Sequence, residues 1–189
     1  MMCYPYMYPN YYVNAPMPYI RQHPVYWGYP QAIENRNQYP FIQMEAGEED
    51  RVFKDQGKQP YVINIEEAAK RNRTFRNAIW TGNHLQVTLM SIGVGEDIGL
   101  EVHPHVDQFL RIERGQGLVQ MGDTKNNLNY EKRVSDNYAI MVPAGKWHNL
   151  INTGSAPLKL YTIYAPPEHP FGTVHETKAD AMKAEEGHR

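Results

Sequence analysis

From residue 75 onward, apolar and polar side chains alternate in short runs, each closed by a turn residue. A period of two places alternate side chains on opposite faces, the signature of a half-buried strand. The pattern predicts strands at residues 75–81, 85–92, 99–103, 108–114, 118–121, 128–133, 138–142, 147–152 and 158–164. Thr81-Gly-Asn83, Gly115-Gln-Gly117, Pro143-Ala-Gly145 and Thr153-Gly-Ser155 separate them with turn chemistry. Many short strands with almost no helix between them predict an all-β sandwich or barrel.

Helical signals are confined to the flanks. Residues 65–70 read as one or two turns with Asn64 as the cap. Thr177-Lys-Ala-Asp180 resembles a capping box, with Asp in place of Glu, and opens a short helix running to about residue 186. Residues 1–40 differ from everything after them. They hold nine of the 14 tyrosines and seven of the 14 prolines, but only Arg21, Glu34 and Arg36 carry charge. Proline at that density breaks helices and ladders, and no aliphatic period marks a core, so the leader reads as extended and disordered. The chain thus divides into a leader at 1–40, a linker with a short helix at 41–73, a barrel at 74–165 and a tail with a short helix at 166–189.

Composition narrows the function classes. A net charge of −2 gives no electrostatic footprint for nucleic acid. The densest basic run, Lys70-Arg-Asn-Arg-Thr-Phe-Arg76, reads as a solvated loop or helix end. No apolar run is long enough to cross a bilayer, and the N-terminal residues do not form a secretory signal. Cys3 is the only cysteine, which excludes internal disulfides and cysteine-rich zinc sites. A cytoplasmic or otherwise intracellular setting is the simplest expectation.

Candidate chemistry gathers on two of the expected strands. Alternation puts Glu101, His103 and His105 on one face of the first, and His148, Leu150 and Asn152 on one face of the second. If both faces turn inward, two or three imidazoles and a carboxylate meet at one point, which metal binding or a proton relay explains. Asn152, beside a turn, is expected to serve backbone groups instead. Tyr161 and Tyr164 sit on opposite faces, so at most one of them lines the interior. His169 and His175 fall in the tail and read as linker residues, unless that tail folds over the barrel mouth.

These residues resemble a known family. Pro143, Gly145, His148 and Asn152 match the fixed positions of the second cupin motif, Pro-x-Gly-x-x-His-x-x-x-Asn, while the glycine that normally opens it is absent and Asp136 stands nearby. The region from about Gly95 to Ala165 therefore looks like the cupin superfamily, a double-stranded β-helix of jelly-roll type. In the first motif, counting back from Gly115 puts Gln108 where the family has a glutamate and aligns Glu101 and His103 with its histidine pair. A competing register pairs His103 with His105 but shortens the spacing to Gln108. The favoured register implies Glu101, His103, Gln108 and His148 as ligands of one divalent metal, Mn, Fe, Ni or Zn. Gln108 departs from the motif, being a neutral and weaker donor than a carboxylate.

Asp107-Gln-Phe-Leu-Arg-Ile-Glu113, Ile163-Tyr-Ala-Pro-Pro-Glu-His169 and Gly172-Thr-Val-His175 look like the mannose-6-phosphate isomerase-like branch. That resemblance implies an isomerase acting on a small oxygen-rich ligand, with Glu101 or His105 as the catalytic base, or else a metal-dependent dioxygenase. It also implies a homodimer. The rival reading is structural: the leader resembles those of spore-coat proteins, implying assembly partners for residues 1–40 and a spore-associated location.

Overall fold

The computed structural model describes residues 52–186. The leader, with its expected disorder and assembly role, lies outside the described residues. The first helix, α1 (Ile65–Arg71), begins where Asn64 accepts a hydrogen bond from the Glu67 amide at 3.2 Å. Glu66 and Glu67 in the first turn and Lys70 and Arg71 in the last complement the helix dipole.

Among the described residues nine strands follow: β1 (Arg76–Thr81), β2 (Gln86–Ile92), β3 (Asp107–Arg114), β4 (Gln116–Gly122), β5 (Tyr130–Ser135), β6 (Ala139–Val142), β7 (Trp147–Asn152), β8 (Leu158–Ala165) and β9 (Val174–His175). They form a six-stranded sheet in the order β6-β3-β8-β2-β1-β9 and a three-stranded sheet in the order β5-β4-β7. Every pairing is antiparallel. The order is not sequential, because β8 returns to lie between β2 and β3, as a double-stranded β-helix requires.

The core sits between the sheets. Met90, Ile92, Leu110, Ile112, Leu158 and Leu160 come from the large sheet, and Val119, Val134 and Leu150 from the small one. All are inward members of alternating strands, and their removal from water is the main stabilising term. The outer face of the large sheet is covered too. Ala68 and Ala69 of α1 pack there against Ile79 and Leu89, which explains why β2 is buried on both faces. The β3–β4 turn needs glycine: Gly115 has φ +110°, and a Cβ there would lie 3.1 Å from Leu158.

Two expectations need correction. The strand expected at 99–103 is reduced to bridges pairing Asp97 with Ile151 and Glu101 with His148. Asp97 accepts from the Gly99 amide at 2.6 Å and Gly99 adopts φ +95°, so the segment turns between its two pairing points. Conversely, the tail read as lying beyond the barrel contributes β9, which pairs Arg76 with His175 and Asn77 with Val174. A two-residue strand is too short to show a period. Its neighbour α2 (Lys178–Glu186) starts at the expected box, with Thr177 and Asp180 each bonding the other's amide at 3.0 and 3.3 Å. Among the described residues no helix is long and apolar enough to cross a membrane.

Candidate metal centre

The centre is organised by one backbone pair. Glu101 and His148 exchange both amide–carbonyl bonds, at 3.0 and 2.9 Å. Directly opposed antiparallel residues present side chains on the same face, so the carboxylate and imidazole are set side by side. Glu101 Oε1 lies 3.2 Å from His148 Nε2 and 3.4 Å from His103 Nε2. The three donor atoms all fall within 4.8 Å of one another. The turn before β7 fixes the approach: Gly145 takes φ +80°, and its amide donates to the His103 carbonyl at 2.8 Å.

Each histidine has its outer nitrogen engaged. His148 Nδ1 lies 2.9 Å from the Lys146 carbonyl oxygen, which can only accept, so Nδ1 carries a proton and Nε2 is the nitrogen turned toward the cluster. His103 Nδ1 lies 3.1 Å from Glu168 Oε1, a carboxylate–histidine contact of the kind that orients metal ligands. Arg76, 1% exposed, places Nη2 3.9 Å from Glu101 Oε2. The basic run that ends at Arg76 reads as a solvated loop or helix end, yet Arg76 is buried on β1 beside the Glu101 carboxylate.

Electrostatics follow from this crowding. Burial pushes the Glu101 carboxyl up, but contact with His103 and His148 and the charge of Arg76 outweigh it and hold it well below the usual range. Burial likewise pulls His103 down, yet Glu101 and Glu168 on either side raise it to about 9. Burial drives the Tyr164 hydroxyl well above its ordinary value.

Among the described residues the buried donors Glu101 Oε1, His103 Nε2 and His148 Nε2 have no hydrogen-bond partner. Gln108 is buried on the inward face of β3; its Nε2 donates to Thr162 Oγ1 at 3.4 Å, while Oε1 has no partner. Its strand neighbour Tyr164 packs edge-on to His103, with ring centroids 5.7 Å apart. An ion bound at about 2.1 Å by nitrogen and oxygen in tetrahedral array needs donor separations of about 3.4 Å. The two Glu101 contacts fit that requirement.

The other sequence candidates fall elsewhere. His105 is exposed on the turn between the Glu101 segment and β3, outside the cluster, because two residues past His103 the chain has already bent away. Asn152 is structural, its amide donating to the carbonyls of Ile92, Gly93 and Ala156 at 2.9–3.0 Å. His169 and His175, read as linker residues, line a cavity of about 660 Å³ together with Glu101, His103, Trp147 and Glu168. Glu168 was missed entirely. It lies in a proline-rich loop with no periodicity, and only its position beside His169 in the quoted motif hinted at it.

Strand order, the two-sheet barrel and an inward His/Glu cluster define a double-stranded β-helix with a candidate metal centre. The Cupin domain family matches residues 88–164, and the chain belongs to the cupin superfamily. It is 57% identical over 176 residues to YrkC of Bacillus subtilis (strain 168), covering 93% of this chain and 94% of that one. It is 40% identical over 117 residues to L612 of Acanthamoeba polyphaga mimivirus, covering 61% and 71%. The crystal structure of BH2720 from Bacillus halodurans superposes with a TM-score of 0.68 at 68% identity, covering 69% of this chain and 98% of that one. The family match contains Glu101, His103, Gln108 and His148 but ends before Glu168, His169 and His175.

Proposed function

We propose that this chain is a metal-dependent cupin acting on a small oxygen-rich molecule, with one divalent transition metal held by Glu101, His103 and His148 and with Gln108 Oε1 as a fourth donor. The reading is carried by the three buried, unpartnered donor atoms that converge within 4.8 Å. Leaving such groups without partners in a protein interior is costly, and a shared cation is the simplest way to satisfy all of them at once. Two nitrogens, a carboxylate and an amide oxygen suit Mn, Fe, Ni or Zn. Bound there, the ion would supply Lewis acidity toward a carbonyl or hydroxyl oxygen of the ligand.

The chain's own residues do the rest. Glu168 and the Lys146 carbonyl fix the two imidazoles so that both Nε2 atoms face inward. Arg76 stands against Glu101 Oε2, which leaves Oε1 turned toward the imidazoles. In an isomerase-like reaction the base moving a proton between neighbouring carbons must touch the cavity, and the exposed His105 does not line it. Glu101 lines it, but a carboxylate that holds the ion and sits well below the usual range is a weak base, which counts against the isomerase-like reaction.

Elemental analysis of the purified protein tests the reading. The wild-type chain is expected to hold about one transition-metal ion per chain, and His148→Ala to hold far less. A wild-type protein that stays empty after dialysis against Mn, Fe, Ni and Zn would overturn it.

A further inference from the structure

The tail lines the same cavity as Glu101 and His103 with two histidines, each with one ring nitrogen unaccounted for. His169 Nε2 and His175 Nδ1 are buried and have no hydrogen-bond partner among the described residues, and both rings line the cavity that also reaches Glu101 and His103. Neither ring is loosely placed. Gln86 grips the His169 backbone from both sides, accepting from its amide at 3.0 Å and donating to its carbonyl at 2.9 Å. The His169 ring stands edge-on to Tyr164 at 5.0 Å, and Tyr164 stands edge-on to His103 at 5.7 Å. His175 is anchored by β9, directly opposite Arg76.

A positioned, buried polar atom with no protein partner is a place for a ligand atom or a water. We propose that His169 and His175 are the ligand-recognition residues of this cavity, each hydrogen-bonding a hydroxyl or carbonyl oxygen of an uncharged polyhydroxylated or hydroxycarbonyl molecule. This rests on the metal-centre reading, because another oxygen of the same molecule would lie toward the ion.

The chemistry of the wall selects the class. Burial lowers the pKa of both rings, with the charge of Arg76 adding to the effect, so each imidazole is neutral near pH 7. A neutral imidazole donates or accepts according to its tautomer, and a hydroxyl group satisfies either case. A phosphate or carboxylate would face two uncharged rings and the carboxylates of Glu101 and Glu168 on the same wall, set against the positive charge of Arg76 and of the ion. Two neutral rings match hydroxyl or carbonyl oxygens, and a phosphorylated sugar would bring a charge that neither ring pairs with.

The test uses the full-length, zinc-loaded chain and ligand-observed saturation-transfer NMR, with D-fructose and fructose 6-phosphate as probes. D-fructose is expected to receive saturation from the wild-type protein and to bind about fivefold more weakly to His169→Phe and to His175→Phe, both retaining zinc. If His169→Phe does not fold, His175→Phe and His169→Gln decide the matter, the glutamine variant keeping partial binding. Fructose affinity unchanged in the variants, tighter binding of the phosphate ester, or no fructose signal at full zinc occupancy would each overturn the inference. A wild-type chain that takes up none of Mn, Fe, Ni and Zn overturns the metal reading as well, so the two failures are distinguishable.

Discussion

A carboxylate 3.1 Å from His103 Nδ1 decides which nitrogen of that ring is left for an ion. Replacing Glu168 by Gln keeps the size of the side chain but removes its charge. Metal affinity is then expected to fall about 10- to 100-fold, measured by competition with a chromogenic chelator. In the metal-free protein the His103 pKa should fall in the same variant, read by NMR titration, which a purely structural role for Glu168 would not produce. His169 supports a second expectation at this scale. Burial and the nearby Arg76 push its pKa down to about 2, so it stays neutral in the folded chain while the unfolded chain protonates it near its ordinary value. The unfolded state therefore binds more protons below about pH 6.5, and stability falls as pH drops through that point toward 2. His169→Phe should lose about 1.6 kcal/mol less stability than wild type between pH 6.5 and 5, read from urea denaturation.

At the scale of elements, the legible parts were those in which side-chain direction follows from backbone period. Residues 147–152 were read as a strand and β7 has those bounds, so His148 and Leu150 point inward as alternation requires. Gln108 fell inward for the same reason on β3. The spacing count back from Gly115 selected the register in which Glu101 and His103, rather than His103 and His105, meet His148. What could not be read was contact made by chain without a period. Glu168 and His169 follow two prolines, and the pairing of Arg76 with His175 joins positions 99 residues apart (175 − 76) through a strand of two residues. Arg76 looked like one more charge in a basic run because nothing local announces that a carboxylate waits across the barrel. Asn152 gives the prediction that belongs here. Its side chain ties the end of β2, the following turn and the loop before β8 to the end of β7. Asn152→Ala should cost about 3 kcal/mol and lower the melting temperature by about 10 °C in calorimetry, with metal stoichiometry unchanged.

For the molecule as a whole, the two ends of the chain should respond differently to removal. Ala181 of α2 belongs to the main core cluster, whereas the sequence of residues 1–40 carries no aliphatic period to place in one. Deleting residues 1–40 is expected to leave the melting temperature within about 2 °C of wild type and the metal content intact. Stopping the chain after Ala165 removes β9, α2 and Glu168 together. That truncation should lower stability and lose most of the bound metal, as measured by calorimetry and elemental analysis.

The two imidazoles are steadied by different kinds of atom. The partner of His148 is the main-chain oxygen of residue 146, which every amino acid supplies, whereas the partner of His103 is a side chain that a single nucleotide change can erase. Mutational drift can thus pass freely through position 146 without turning its histidine, while position 168 offers a one-step route to a weaker centre. Relatives that have abandoned the ion would be expected to show the change first at 168, before either histidine is replaced.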